Sequence, residues 1–462
     1  MERSLRMKTR RNPIIPDTIA DPSVVEFDGI YYLYGTTDIG MGLGTSGPPV
    51  VWKSKDFVNW SFQGCIFPDV DWSISKFWAP GRMLRRMENG KYKYYLYFSA
   101  SEVEGEDKEL PKPDPEQTFV AVADSPEGPF VTANGPNKFS GFNKATPILD
   151  TIDGDPFVDD DGVGYIGWRY HQVAKMNQDW LSIDKDTVFQ IPIKQGDAYS
   201  EGSWIFKRNN IYYYMYTLSG HANYKYAYVM SKESPLGPYI WVEEDVIATT
   251  DFEKGIWGPG HGCVFQPQNS DKAIFVYLEY GEGGTTRQVH ADWMEFNEDG
   301  TIQPINLTWE GIGTLGEVQE QPVNLAVNAK VMASSVRPSK MVTGVSDGQS
   351  ISREVTYDAE NAVDGSNGTR WWAADEDANP WLMVDLQEVK QIDRCELSFI
   401  FPTFGHAYKV EKSNDGRSWI ICKEITQAEV CSPHFIDYIG ETRYLKVTIT
   451  EGKPGLWNFK IY

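Results

Sequence analysis

One pattern recurs five times between Asp28 and Leu278: a polar turn followed at once by a strand crowded with aromatic rings. The copies are Asp28-Gly-Ile-Tyr-Tyr-Leu-Tyr, Asn89-Gly-Lys-Tyr-Lys-Tyr-Tyr-Leu-Tyr, Asp161-Gly-Val-Gly-Tyr-Ile-Gly-Trp, Asn209-Asn-Ile-Tyr-Tyr-Tyr-Met-Tyr and Asp271-Lys-Ala-Ile-Phe-Val-Tyr-Leu. Turn residues set against aromatic and β-branched runs read as strands entered from tight turns. An interval of roughly 45 to 75 residues gives each copy room for one four-stranded blade, and five blades close into a propeller around a central funnel. Ser125-Pro-Glu-Gly-Pro-Phe and Ser234-Pro-Leu-Gly-Pro-Tyr are near-copies that suit outer-strand turns, and few stretches carry helical periodicity.

The pattern stops after Asp299-Gly-Thr-Ile-Gln, and a second one begins near Asn324. It runs through Ala362-Val-Asp364-Gly365, Thr369-Arg-Trp371-Trp372, Trp381-Leu-Met-Val-Asp385-Leu and Ser413-Asn-Asp415-Gly. Short alternating strands between turn residues predict a β-sandwich. The expected division is a propeller over 1–315, a linker over 316–323 and a sandwich over 324–462, all-β throughout.

The charge of -22 repels nucleic acid phosphates and anionic membranes but leaves neutral polysaccharide unaffected, so neither nucleic acid nor membrane is an expected partner. No apolar run approaches the roughly 18 residues of a membrane span. The basic stretch Met1 to Arg11 is followed by Asn12-Pro-Ile-Ile-Pro16 rather than by a signal-peptide core. As written the chain reads as cytoplasmic; a trimmed chain that is secreted or periplasmic would look the same. The cysteines, Cys65, Cys263, Cys395, Cys422 and Cys431, show no CxxC or other metal-ligand spacing and are read as reduced, although Cys422 and Cys431 lie near enough to pair. Most of the 16 Trp and 25 Tyr belong to strand cores, leaving a minority to stack on sugars.

Three acidic motifs stand beside aromatic strands: Ala20-Asp21-Pro22-Ser, Ile152-Asp153-Gly154 ahead of Asp159-Asp-Asp-Gly162, and Glu201-Gly202-Ser203. Any one alone is most simply a surface carboxylate. Carboxylates at the starts of successive strands can meet in one pocket, as cleavage of a glycosidic bond requires. The Asp159 to Asp161 run itself reads as a solvated turn. Gly42-Leu-Gly-Thr-Ser-Gly47 has dinucleotide-binding spacing, but Pro48-Pro49 cannot open the helix that would hold a phosphate, so it reads as a loop.

With Trp78-Ala-Pro80 and Gly258-Pro-Gly-His261-Gly, these motifs resemble glycoside hydrolase family 43 over roughly the first 315 residues, and the remainder resembles discoidin-like (F5/8 type C) sandwiches. The resemblance implies a five-bladed propeller acting on arabinose- and xylose-containing plant cell-wall oligosaccharides or polysaccharides. It implies inversion, with Asp21 as general base, Glu201 as general acid and Asp153 tuning that acid, whose pKa must be raised. Asp155 rivals Asp153, because Asp153 is followed by glycine where the family usually has proline. Trp78 is implied as a stacking platform, Arg287 as a contact to sugar hydroxyls against the simpler reading of a surface salt bridge, and His261 as an axial residue. Family members often hold calcium near such a histidine, whereas a lone histidine is more simply a hydrogen-bonded core residue; no cofactor is required for the reaction. In the sandwich, Trp372, Trp457 and the loop at Asp364 are candidates for sugar contact, against a purely bracing role. Exo action is expected, with an endo-acting arabinanase or xylanase, an exo-galactanase or a non-catalytic sugar-binding protein as alternatives. Ala20-Asp21-Pro22-Ser lacks the Asn-Asp-Pro-Asn-Gly setting that retaining fructosidases require.

Overall fold

A computed structural model describes residues 11–38, 47–102, 116–141, 143–196, 198–220, 223–267, 270–281, 286–316, 322–327, 329–346 and 348–462. The Gly42 to Gly47 motif falls largely outside them. Each aromatic repeat forms the second strand of an antiparallel sheet. Blade 1 runs Ile19–Phe27, Ile30–Thr37, Val50–Ser54, Trp60–Cys65, and blade 3 runs Asp155–Val158, Gly164–Trp168, Gln172–Lys175, Phe189–Gln190. Blade 4 follows the same order through Ser200–Arg208, Ile211–Leu218, Lys225–Ser231 and Val246–Ala248. In blade 2 the inner edge is split, with Ser75–Trp78 and Leu84–Glu88 pairing opposite halves of Lys91–Glu102.

Blade 5 departs from the expected four strands: its sheet contains Gly260–Phe265, Ala273–Glu279 and Gln288–Met294. Alongside its outer strand lies the segment at Asn12. The Asn12 amide accepts from Ala291 N–H at 2.9 Å and donates to Ala291 O at 3.2 Å, while Ile14 N–H donates to Val289 O at 2.8 Å. Early and late parts of the propeller are thereby tied together.

The second strands are aromatic on both faces because each blade is packed between two others. In blade 4, Tyr213 and Tyr228 join the cluster containing Phe206 and Val276, while Tyr214 and Tyr216 join the one containing Phe157 and Tyr165. Fully burying one large apolar side chain contributes about 1.5–3 kcal/mol. Polar tips of the rings are also satisfied, as in Tyr34 OH to Pro126 O at 2.7 Å and Tyr97 OH to Trp180 O at 2.9 Å.

The second unit is built on a seven-stranded sheet, its longest strands Trp381–Phe399 and His434–Glu451, around a core that includes Leu382, Val384, Leu397, Leu445, Val447 and Phe459. Leu315 still packs in the propeller core, whereas Ala326 packs in the sandwich core. Bonds join the two units at Phe62 N–H to Ser432 O (2.7 Å), Asn367 Nδ2 to Pro13 O (2.9 Å) and Thr250 Oγ1 to Ser346 Oγ (2.9 Å).

The sandwich tryptophans do not present free faces to a sugar. Trp372 and Trp457 are buried with Tyr357, Ile400 and Phe401, and the Arg370 guanidinium lies 4.7 Å from the Trp457 ring centroid. Asp364 caps its own turn, accepting from Ser366 N–H at 2.8 Å and Thr369 Oγ1 at 2.7 Å. All five cysteines are free, and among the described residues no helix is long and apolar enough to cross a membrane.

Candidate active site

Around the funnel, each blade carries a left-handed backbone kink: Asp21 (φ 49°), Ala79 (43°), Asp153 (65°), Gly202 (58°) and His261 (35°). In blades 1, 4 and 5 the register skips at that point, between Ala20 and Ser23, Glu201 and Trp204, and Gly260 and Cys263. A bulge re-aims a side chain, and bulges placed around one axis re-aim their side chains toward it. Non-glycine residues in this region cost about 1–3 kcal/mol each and persist only where the surroundings over-determine them.

Three hydroxyls on second strands provide that constraint, each reaching the next blade. Thr36 Oγ1 accepts from Ala79 N–H at 2.8 Å, Ser99 Oγ from Asp153 N–H at 2.9 Å, and Thr217 Oγ1 from His261 N–H at 2.6 Å. Gly202 must be glycine for a second reason: a Cβ there would lie 2.8 Å from His261 Cδ2.

The kinks surround a cavity of about 640 Å³ lined by Asp21, Trp78, Asp153, Glu201, His261 and Arg287 together with Lys76, Arg169, Tyr199 and Tyr224. Six of the residues singled out from sequence, Asp21, Trp78, Asp153, Glu201, His261 and Arg287, therefore line one pocket. Asp155 does not; it turns between blades, accepting from Arg82 N–H and Ile205 N–H at 3.0 Å each. Burial pushes its carboxyl up to about 6 against the pull of Arg82. Asp159 and Asp160 bind Lys207 at 2.8 and 2.7 Å, well outside this pocket's lining.

Asp21 and Glu201 sit in opposite electrostatic settings. Asp21 Oδ2 accepts from Thr36 Oγ1 at 2.6 Å, and its Oδ1 lies 3.4 Å from Arg287 Nη1 and 3.3 Å from His261 Nδ1. Arg287 is buried rather than a surface ion-pair residue, forked onto Asp38 by two bonds of 2.9 Å. Burial opposes its charge, but Asp21 and Asp38 hold the guanidinium's pKa above its ordinary value. Glu201 instead accepts from two phenols, Tyr199 on one oxygen and Tyr224 on the other.

Asp153 lies beside Glu201, its Oδ2 accepting from Gly202 N–H at 3.2 Å and its buried Oδ1 without a partner. Burial, then the charge of Glu201, pushes the Asp153 carboxyl up to about 7, with His261 pulling the other way. Burial pushes the His261 imidazolium down, but Asp21, Asp153 and Glu201 outweigh it and the net shift is upward. Trp78 is half-buried, with Lys76 Nζ 5.2 Å from its ring centroid.

Calcium takes 6–8 oxygen ligands. Around His261 the Asp21 oxygens are already engaged, and among the described residues no group of three His, Cys, Asp or Glu ligand atoms converges there. An ion held beside His261 would therefore draw most of its ligands from water and backbone carbonyls rather than from a cage of carboxylates.

Sequence reasoning missed Thr36, Asp38, Arg169, Tyr199 and Tyr224. Tyr199 was within reach, since two residues before Glu201 on an extended chain is the same face. Thr36, Ser99 and Thr217 each follow the aromatic run of their repeat, so aligning the repeats would have exposed them.

Residues 10–302 match Glycosyl hydrolases family 43, and residues 344–459 match the F5/8 type C domain. A solved structure of a glycoside hydrolase, 43% identical, superposes with a TM-score of 0.87 over 97% of this chain and 98% of that one. The beta-D-galactofuranosidase xynD of Aspergillus niger is 30% identical over 285 residues, 58% of this chain and 76% of the relative. A xylosidase/arabinosidase of Bacteroides ovatus is 25% identical over 292 residues, 51% of this chain and 80% of the relative. The relatives' names differ in the sugar and agree on the class of bond. Since the first match spans most of the propeller and every blade that it covers contributes to one carboxylate-lined pocket, the chain belongs to glycosyl hydrolase family 43 and carries an F5/8 type C domain after its propeller.

Proposed function

We propose that the protein is an inverting, exo-acting hydrolase that releases terminal α-L-arabinofuranose or β-D-xylose from hemicellulose-derived oligosaccharides. The contrast between Asp21, facing a guanidinium and an imidazole, and Glu201, facing two phenols and Asp153, carries this reading. Inversion needs two carboxyl groups in different roles, roughly 6.5 to 9.5 Å apart with a water between. Asp21 removes a proton from water as its oxygen bonds to the anomeric carbon. The bond to the leaving oxygen breaks as Glu201 gives that oxygen its proton. Asp153 orients the Glu201 segment through the bond it accepts from Gly202 N–H. Trp78 offers a face for the sugar ring, and Arg287 holds Asp21 while its free edge meets hydroxyls.

A second reading, hydrolysis of β-D-galactofuranosides, is favoured by the 30% identical Aspergillus niger relative. This sugar shares its ring stereochemistry with α-L-arabinofuranose and differs by a longer exocyclic arm, so the same carboxyl pair would serve both.

The test is turnover of aryl α-L-arabinofuranoside, β-D-xyloside and β-D-galactofuranoside by wild type, Asp21→Asn and Glu201→Gln, with the product anomer followed by NMR. One pentoside hydrolysed with inversion, and lost in both variants, supports the proposal. Preference for the galactofuranoside selects the second reading, and retention of configuration overturns the assigned roles.

A further inference from the structure

We propose that Glu429, Cys431 and His434 form a binding site for a thiophilic divalent cation of the zinc class, on the loop that fastens the F5/8 type C domain to blade 1. The ligand atoms of these residues all lie within 4.8 Å of one another. Cys431 Sγ is 3.3 Å from His434 Nδ1, and Glu429 Oε2 is 4.0 Å from the same nitrogen. Metal–sulfur and metal–nitrogen bonds of about 2.3 and 2.0–2.1 Å at tetrahedral angles put neighbouring ligand atoms roughly 3.3 to 3.6 Å apart. Cys431 Sγ is also 3.5 Å from His434 Nε2, so the three groups are clustered but not yet in tetrahedral array, and rotation of the Cys431 side chain and of the exposed Glu429 side chain would be needed to close it.

The spacing Glu429-x-Cys431-x-x-His434 is a short-range ligand pattern that the separate reading of the cysteines passed over. Packing also holds the imidazole in place: His434 is buried, edge-on to Phe399 at 5.1 Å and to Tyr408 at 5.0 Å between centroids. A nitrogen, a thiolate and a carboxylate suit zinc better than magnesium or calcium, and water would complete four-coordination. As the metal–sulfur bond forms, the thiol proton leaves to solvent. Ser432, inside the same loop, accepts the Phe62 N–H, so a bound ion would stiffen the attachment to the propeller without touching the catalytic carboxyls.

The experiment is titration of the full chain, reduced and freed of metal, with Co²⁺ as a spectroscopic probe. The expected result is one equivalent bound, with a thiolate-to-cobalt charge-transfer band that Cys431→Ser abolishes and Cys422→Ser leaves intact. Glu429→Gln, at an exposed position that folding tolerates, should weaken Co²⁺ binding measurably while keeping the charge-transfer band. Absence of the band in wild type at saturating Co²⁺, or a band that survives Cys431→Ser, overturns the site.

Discussion

The propeller encloses a set of carboxyls that has no counterpart of its size among the enclosed groups of the sandwich, where histidines stand out. In the propeller, burial pushes Asp17, Asp153 and Glu279 up to about 7, and Asp155 and Asp292 up to about 6. In the sandwich the fully enclosed groups include His406 and His434, both pushed down to about 4 by burial. Its carboxylates mostly stay near the surface and are held low, Asp385 by Arg443 and Asp415 by the N–H groups of its own turn. Burial raises the enclosed acids of the one unit and lowers the enclosed bases of the other, with His290 in the propeller also pushed down. Of the raised propeller carboxyls, Asp153 lines the cavity and faces Glu201, where a perturbed carboxyl is suited to chemistry at a bond.

The largest effect should separate the two units by function. Asp21→Asn and Glu201→Gln should each lower kcat/KM by roughly 10²- to 10⁴-fold while leaving the melting of both units nearly unchanged. A comparable loss of Tm would mean that the carboxyls hold the fold rather than the reaction.

The reverse separation comes from the sandwich core. Trp457→Ala should destabilise that unit by about 3–5 kcal/mol and leave hydrolysis of a small aryl glycoside intact. Loss of activity on the small substrate in a folded variant would tie Trp457 to the reaction instead.

Next in size is Tyr224→Phe, which removes one of the two phenols on Glu201. Hydrogen bonds to charged groups contribute about 1.5–3 kcal/mol, so kcat should fall roughly 10- to 150-fold with an altered pH profile. An unchanged profile would show that the phenol only fills space.

The smallest effects per group come from pH. The buried propeller carboxyls titrate higher folded than unfolded, so they hold more protons in the native state between about pH 4 and 7 and their contribution to stability rises as pH falls through that window. Surface ones such as Asp56, Asp159 and Asp251 are held low by their hydrogen bonds and act in the opposite sense. The sandwich histidines titrate lower folded than unfolded, so their contribution is lost as pH falls from about 6.5 to 4. His290, pushed down to about 3, works against the propeller's trend, but five carboxyls oppose it. Calorimetry with a chelator present should show the sandwich transition moving down relative to the propeller's on acidification. Transitions that move together would erase the contrast.

What the sequence determined about this protein is whatever rests on neighbours along the chain. Five turn-and-aromatic repeats set five blades, because turn chemistry and strand alternation act over a few residues. The order of Asp21, Asp153 and Glu201 was legible for the same reason, each lying at the start of an inner strand. Tertiary structure decided what depends on distant contacts. Asp153 and Asp155 are two residues apart, yet the kink at Asp153 sends one carboxyl to the cavity and leaves the other between blades. Arg287 acquires its role from Asp21 and Asp38, about 250 or more positions away, and Trp457 loses its presumed face to Arg370. Burial and charge at such positions are set by packing between blades and across the sandwich, which no local pattern encodes.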